Sequence, residues 1–401
     1  SGRVVRRAVL ATGSAAVALT LLPLVPSNEW WIRVWDFPRI QLAVILALVL
    51  LAAPLVVSAR RRPVLLFLAA LAAALAWQLY RIRPYTPASP PQAEAVAQCA
   101  EGSRIGLLVA NVLIDNDQAG PLLDLVRRVE PHVLLLVETD ARWDRQLEPL
   151  RADYPHVVSR PRDNGYGMHL FSRFELIDPE VRFLIDDYVP SIKTGLRLPS
   201  GARVDLYGVH PKPPPRQDTA RRDAELLIVA REVRKEAAPA IVAGDLNDVA
   251  WSRTTRLFQD VSGLLDPRIG RSPYATFNAN WPLLRWPLDH VFFESSFRLL
   301  DIAVMDDIGS DHFPLFVGLC HDAGAVAAQA EPSLDPAQAD DVREQIREGR
   351  EEADQYDGKA CGSPTEEERS FDPSRSRLDA ADGPRSPLAG EHRDPPPSPA
   401  R

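Results

Sequence analysis

ARVDLYGVH (202–210), DTARRDAELLIVAREVRKE (218–236) and APAIVAGD (238–245) form the stretch that decides the fold. An apolar run ending in a polar residue, a helix-length segment and a second such run read as strand, helix, strand. The same order stands earlier in the chain. RIGLLVANV (104–112) is a strand, QAGPLLDLVRRVEP (118–131) an amphipathic helix, and HVLLLVE (132–138) another strand. Leu122, Leu125, Val126 and Val129 carry the helical spacing. The unit therefore occurs twice, and the middle of the chain reads as an α/β sandwich with a repeated half. Its four strands end at Asn111, Glu138, His210 and Asp245, so polar groups gather where rigid strands hand over to loops. Two further strands, LDHVFFES (288–295) and HFPLFVGLC (312–320), are each entered through an Asp-His pair.

N-terminal to this lies a different kind of sequence. Residues 8–26, 40–57 and 63–80 are three uncharged, strongly apolar runs. At about 1.5 Å per helical residue each reaches roughly 27–28 Å, close to the hydrocarbon thickness of a bilayer. Three transmembrane helices are expected. Arg3, Arg6 and Arg7 precede the first, and Arg60, Arg61 and Arg62 separate the second from the third. The opposite side holds Arg33, Arg39, Arg81 and Arg83, with Glu29 and Asp36 among them. The excess of arginine places the N-terminus in the cytoplasm and everything after the third span outside it, in a multi-pass cell-membrane protein. Tryptophans in SNEWWIRVWDFPR (27–39) suit the membrane interface.

The chain divides into a membrane region (1–80), a Pro-rich linker (81–103), a catalytic domain (104–320) and an acidic, Pro-rich tail (321–401) expected to be disordered. Within that tail, 340–356 has Glu–Arg neighbours that favour a transient helix. Net charge is −8, from 46 basic and 54 acidic residues. Residues 1–99 hold 10 basic and 3 acidic groups, whereas 100–321 hold 26 and 32. An acidic catalytic domain is a poor general nucleic-acid binder, because phosphate neutralisation supplies most non-specific affinity. Three cysteines exclude a disulfide-framework fold and any four-cysteine metal site. Cys99 precedes the first strand and Cys320 ends the last. Were those strands antiparallel neighbours, the thiols would meet; two unpaired thiols is the alternative.

Glu138, Asp245, Asp289 and Asp311 all fall at strand ends of one domain. Clustered carboxylates repel unless a cation or protonation neutralises some of them. Hard oxygen donors, with Asn111 and Asn247 nearby, suit Mg²⁺ or Mn²⁺ rather than zinc. The neighbouring histidines add charge and proton-transfer capacity near neutral pH.

In order along the chain stand Asn111, Glu138, His210, Gly244-Asp245-Leu246-Asn247, Asp289 and Ser310-Asp311-His312. This series resembles the endonuclease/exonuclease/phosphatase superfamily of DNase-like metal-dependent phosphoesterases over about residues 104–319. The resemblance implies an α/β (α+β) four-layer sandwich, two packed mixed sheets flanked by helices, following the three spans. It also implies roles. Glu138 is the expected principal Mg²⁺ ligand, with Asn111 beside it and Asp311 in or next to the coordination shell. Asp245 is expected to orient and activate the attacking water, and Asn247 to hold that water or a phosphate oxygen. His312, held by Asp289, is expected on the scissile phosphate, and His210 on the phosphate or the leaving group. Asn164 and Tyr166 lie where the family often places a loop near the site. His290 reads as packing, Lys212 as a solvated loop lysine, Asp248 as part of a turn, and Asp140, Trp251 and Trp281 as structural.

The short three-span form also resembles bacterial membrane members of the superfamily. Hydrolysis of a lipid-linked phosphate, pyrophosphate or phosphodiester at the outer membrane surface is therefore the first expectation. An extracytoplasmic nuclease is the alternative within enzymes, and a catalytically dead membrane scaffold the alternative outside them.

Overall fold

The computed structural model describes residues 2–56, 62–213 and 218–359. Two mixed β-sheets pack face to face with helices on their outer faces. Helices α1 (Gly2–Leu21), α2 (Trp30–Arg33), α3 (Arg39–Val56) and α4 (Arg62–Ile82) come first. Then follow β1 (Arg104–Asn111), α5 (Gly120–Val129), β2 (Val133–Val137), α6 (Ala141–Gln146), β3 (His156–Arg160) and β4 (Met168–Ser172). The second half holds β5 (Glu175–Arg182), β6 (Ser191–Arg197), β7 (Arg203–Val209), α7 (Ala220–Lys235), β8 (Ala240–Asp245) and α8 (Arg253–Ser262). It closes with β9 (Asp289–Phe293), β10 (Phe297–Val304), β11 (Leu315–His321) and α9 (Ala339–Lys359).

One sheet runs β10-β11-β1-β2-β4-β3 and the other β5-β6-β7-β8-β9. The two repeated units are the parallel pairs at their centres, β1 with β2 and β7 with β8, each joined by a crossover helix. An antiparallel strand flanks each pair: β11 beside β1, and β9 beside β8. Strands covered on both faces need near-continuous apolar sequence, which is why VLLLV and AIVAG show no alternation. Leu107, Val109, Leu135, Leu206, Ile241 and Val291 fill the space between the sheets.

Two helices, spanning 2–24 and 62–85, are long and apolar enough to cross a membrane. The expected second span falls on α3, and residue 57 lies outside the described residues. With Trp30–Asp36 it forms a pair bent by 72°, which counts as a third span if taken as one. The helices meet through Leu42, Leu46, Val49, Leu71 and Ala74. Near one end Arg39 donates to Gln78 at 3.0 Å, and Gln78 to Thr20 at 3.0 Å.

These helices are docked on the domain rather than hung from it. Trp251 Nε1 donates to Asp36 O at 2.7 Å, Arg33 to Thr254 at 2.8 Å, and Tyr85 Oη to Ala250 O. Arg33 also lies 3.6 Å from buried Asp223. The expected linker is packed as well: Tyr85 and Ala93 are buried, Ala95 bridges Leu299, and Cys99 forms a disulfide with Cys320.

The expectation of a disordered tail from residue 321 needs correction as far as Lys359. Val342 and Ile346 of α9 are buried against the α7–α8 layer. At Gly349 the helices approach so closely that an added Cβ would sit 2.4 Å from that of Ala224. Arg221 pairs with Glu352 at 3.3 Å and Arg253 with Asp341 at 2.8 Å. The rest of the expected tail, 360–401, lies outside the described residues.

Glu225, on the buried face of α7, has an Oε1 without a hydrogen-bond partner among the described residues. Burial, with Asp186 adding to it, pushes its carboxyl up from 4.5 to about 8. The unfolded chain then gives up this proton first, so the group's contribution to stability falls as pH rises from 4.5 to about 8. Glu225→Gln is expected to melt several degrees higher than the parent at pH 8.5 and to show no advantage at pH 4. A pH series of thermal midpoints on the full chain checks this, and equal midpoints at pH 8.5 contradict it.

Candidate active site

The C-terminal ends of β1, β2, β7 and β8 open on one side of the sandwich, together with the entries to β9 and β11. Asn111, Asp245, Asp289, His210 and His312 are all buried there. Asn111 Nδ2 donates to Glu138 Oε1 at 2.8 Å and to Asp245 Oδ2 at 3.1 Å, so one amide ties the two sheets' carboxylates together. Asp245 Oδ2 lies 3.8 Å from His210 Nε2 and 3.6 Å from His312 Nε2. His312 Nδ1 is 2.8 Å from Asp289 Oδ2.

Local backbone geometry explains several sequence choices. At Gly244 (φ 146°) a Cβ would lie 1.8 Å from Val209 O, so only glycine lets β8 pass β7 one residue before Asp245. Glu138 (φ 63°) and Asn247 (φ 50°) are held in the left-handed region, a strained setting that aims both side chains. Asn247 N donates to Asp245 Oδ1 at 2.8 Å, and its side chain to Pro211 O at 2.9 Å. Ser310 Oγ donates to Asn111 O at 2.8 Å and accepts from His312 N at 3.0 Å, which pins the Ser-Asp-His turn to β1.

Charge is distributed unevenly across the pocket. Burial would push the His312 imidazole down, but Asp289 and then Asp245 outweigh it and hold the ring protonated, at about 10. Burial pushes His210 down, which leaves it neutral near pH 7. Burial raises the carboxyls of Glu138, Asp245 and Asp311 above their ordinary range, and a neighbouring carboxylate adds to each rise: Asp245 at Glu138, Asp289 at Asp245, and Glu138 with Asp245 at Asp311. His312 pulls each of them back.

Asp245, Asp289 and His312 present ligand atoms within 4.8 Å of one another, a spacing that could hold an ion. The hydrogen bond between Asp289 and His312 argues that a proton, not a metal, occupies that pair. Glu138, tied to Asp245 through the Asn111 amide, and Asp311, within electrostatic reach of both, offer further oxygen donors. Two poorly solvated carboxylates with an amide beside them are the donor set of a hard divalent cation.

Other expected residues divide. Tyr166 lies with its ring 5.7 Å from that of His210, whereas Asn164 is exposed and accepts from Tyr166 N at 3.1 Å. His290 is buried, 2.6 Å from Arg268 and 2.9 Å from Asp248 O, away from the pocket. Asp248 accepts from Ser252 at 2.6 Å and Asp140 caps α6. Lys212 is not solvated: it is buried, 3.7 Å from Asp186 and over the Tyr188 ring at 4.5 Å. Trp251 is buried, but Trp281 is 63% exposed and is not part of any core. Sequence reading passed over His169, which is buried between Thr139 (2.8 Å) and Asp144 (2.7 Å) and braces the loop that carries Glu138.

Residues 108–312 match the family model described as Endonuclease/Exonuclease/phosphatase family. Among solved structures the chain is similar to D. rerio TDP2 complexed with single strand DNA product, at 19% identity and TM-score 0.46, over 54% of this chain and 99% of that one. It is also similar to the human Nocturnin catalytic domain with bound sulfate anion, at 19% identity and TM-score 0.45, over 55% and 96%. An endonuclease/exonuclease/phosphatase from Beutenbergia cavernae DSM 12333 matches at 18% identity and TM-score 0.44, over 55% and 72%. No curated protein matches the chain.

Proposed function

The chain belongs to the endonuclease/exonuclease/phosphatase family, and from that premise we propose that it is a membrane-anchored, divalent-metal-dependent hydrolase of a lipid-linked phosphate, pyrophosphate or phosphodiester. One observation carries the reading. Carboxylates from both sheets converge on a single pocket beside the His312–Asp289 pair, in a domain docked directly on long apolar helices.

In this reading Glu138, Asn111 and Asp311 hold the cation, Mg²⁺ or Mn²⁺. Bound there, it supplies positive charge for the phosphoryl oxygens. Asp245, fixed by Asn247 N and Asn111 Nδ2, accepts the proton of the attacking water. The His312 imidazolium, oriented by Asp289, faces the charge that develops on the phosphoryl group. Neutral His210 hydrogen-bonds a phosphoryl or leaving-group oxygen, and Asn247 positions the water or the phosphate.

With the bent pair of Trp30–Asp36 and α3 taken as a third span, the surplus of arginine at the N-terminal end and in residues 60–62 and the Cys99–Cys320 disulfide support an extracytoplasmic domain. The acidic domain favours a lipid-borne phosphoester over polymeric nucleic acid.

Full-length protein in detergent is expected to release phosphate from polyprenyl pyrophosphate with added Mg²⁺. Chelator should abolish that release, and Glu138→Gln should raise the Mg²⁺ concentration needed by roughly tenfold or more. Rapid nicking of plasmid DNA without any phosphate release would reverse the choice of substrate.

A further inference from the structure

In the domain that follows the helices, the exposed large apolar side chains among the described residues are Trp281, Leu283, Leu284 and Val326. The first three sit within four consecutive exposed positions, Trp281-Pro282-Leu283-Leu284, at 63%, 85% and 43% exposure for the tryptophan and the two leucines. A soluble surface rarely gathers such a patch without a partner.

The patch tips a tight hairpin that grows out of the active site. At its base Phe277 N donates to Trp286 O at 3.0 Å, and Arg285 donates to Asn278 O at 3.3 Å and Ala279 O at 3.1 Å. At its tip Leu284 N donates to Trp281 O at 2.9 Å. Ala279 N donates to Asp311 O at 2.7 Å, and the Phe277 ring is 4.8 Å from that of His312. A few residues therefore separate the pocket from the apolar tip.

The hairpin also touches the start of α3, at its tip through Gln41 and at its base through Phe37, just before that helix. Gln41, in the first turn of α3, donates to Leu283 O at 2.9 Å, and Trp286 packs edge-on against Phe37 at 5.9 Å. From Gln41 onward α3 exposes Val44, Ile45, Leu48, Leu51 and Leu55. The hairpin tip thus continues the apolar outer surface of α3 at the end where the domain is docked.

We propose that the 277–286 hairpin is a membrane-seated lip: Trp281, Leu283 and Leu284 insert into the hydrocarbon of the bilayer beside α3 and guide the lipid-borne phosphate from the membrane surface to His312 and Asp311. The occupant of the patch is lipid hydrocarbon, indicated by its continuity with α3. The guiding role rests on the lipid-linked substrate proposed above; the insertion does not.

The test uses full-length protein in vesicles and the exposed triple variant Trp281→Ser, Leu283→Ser, Leu284→Ser. Brominated acyl chains are expected to quench Trp281, read as the difference between the parent and Trp281→Phe. The triple variant should lose roughly tenfold or more in kcat/KM on vesicle-embedded polyprenyl pyrophosphate and keep its rate on a short water-soluble phosphoester. Absence of the quench, or equal loss on both substrates, overturns the lip. A parent that is quenched but releases no phosphate from the embedded lipid retains the insertion and sinks the lipid-substrate reading instead.

Discussion

Asp245→Asn is expected to lower kcat for phosphoester hydrolysis by about 10³-fold or more, equivalent to about 4 kcal/mol of activation barrier. The side chain is buried at the junction of both sheets, within 4 Å of two imidazoles, and accepts from Asn247 N and Asn111 Nδ2. Asparagine keeps the shape and one acceptor. It replaces the proton-accepting oxygen with an amide NH2 that points at the Asn111 amide, a donor facing a donor. A thermal melt therefore accompanies the kinetics, so that lost folding is not read as lost chemistry. The Mg²⁺ midpoint should stay unchanged, in contrast to Glu138→Gln. A midpoint shifted as far as that of Glu138→Gln would move the ion into the Asp245, Asp289 and His312 group and overturn the assignment of the water-activating residue.

Removing the Cys99–Cys320 disulfide is expected to cost the protein a large share of its stability. The bond closes a loop with a sequence separation of 221, pinning the approach to β1 beside the end of β11. In the chain-entropy model such a loop contributes about 5 kcal/mol by restricting the unfolded chain. For a domain of this size that is a fall of roughly 10–20 °C in the thermal midpoint. The Cys99→Ser, Cys320→Ser double variant should show it, and reductant should produce the same fall in the parent and none in the double variant. Mass mapping under non-reducing conditions that finds two free thiols would remove both the bond and its support for an external domain.

The central strands of the two sheets were legible in the sequence because fully covered parallel strands demand unbroken apolar runs, and VLLLV and AIVAG supply them, whereas β3, β4, β5, β6 and β10 were not read as strands and the two-sheet architecture followed from the family resemblance. Asn111, Glu138, Asp245, Asp289 and His312 were legible as a group because their motifs come in order at strand ends. Asp311 and His210 followed from the same logic. Other features were hidden by their chemistry. The stripe Val342, Ile346, Gly349 and Ala353 has helical spacing, but it is embedded among acidic and basic residues that dominate composition, so α9 read as solvated. Lys212 looks like any loop lysine until the fold brings Asp186 to it. Trp281 read as structural because tryptophans usually are; only its exposure separates it from Trp251. The contacts of Arg33 with Thr254 and Asp223 join residues about two hundred positions apart and leave no local signal.

The buried contacts of Asp36, Arg33 and Tyr85 give the catalytic unit no slack tether on which to wander. Were the helices seated in a bilayer and the substrate the lipid-linked phosphoester proposed above, the pocket would ride at one height and meet that substrate by lateral diffusion in two dimensions. Turnover should then follow the mole fraction of substrate in the surface rather than its amount per volume, and diluting that substrate with inert lipid should slow the enzyme at constant bulk concentration.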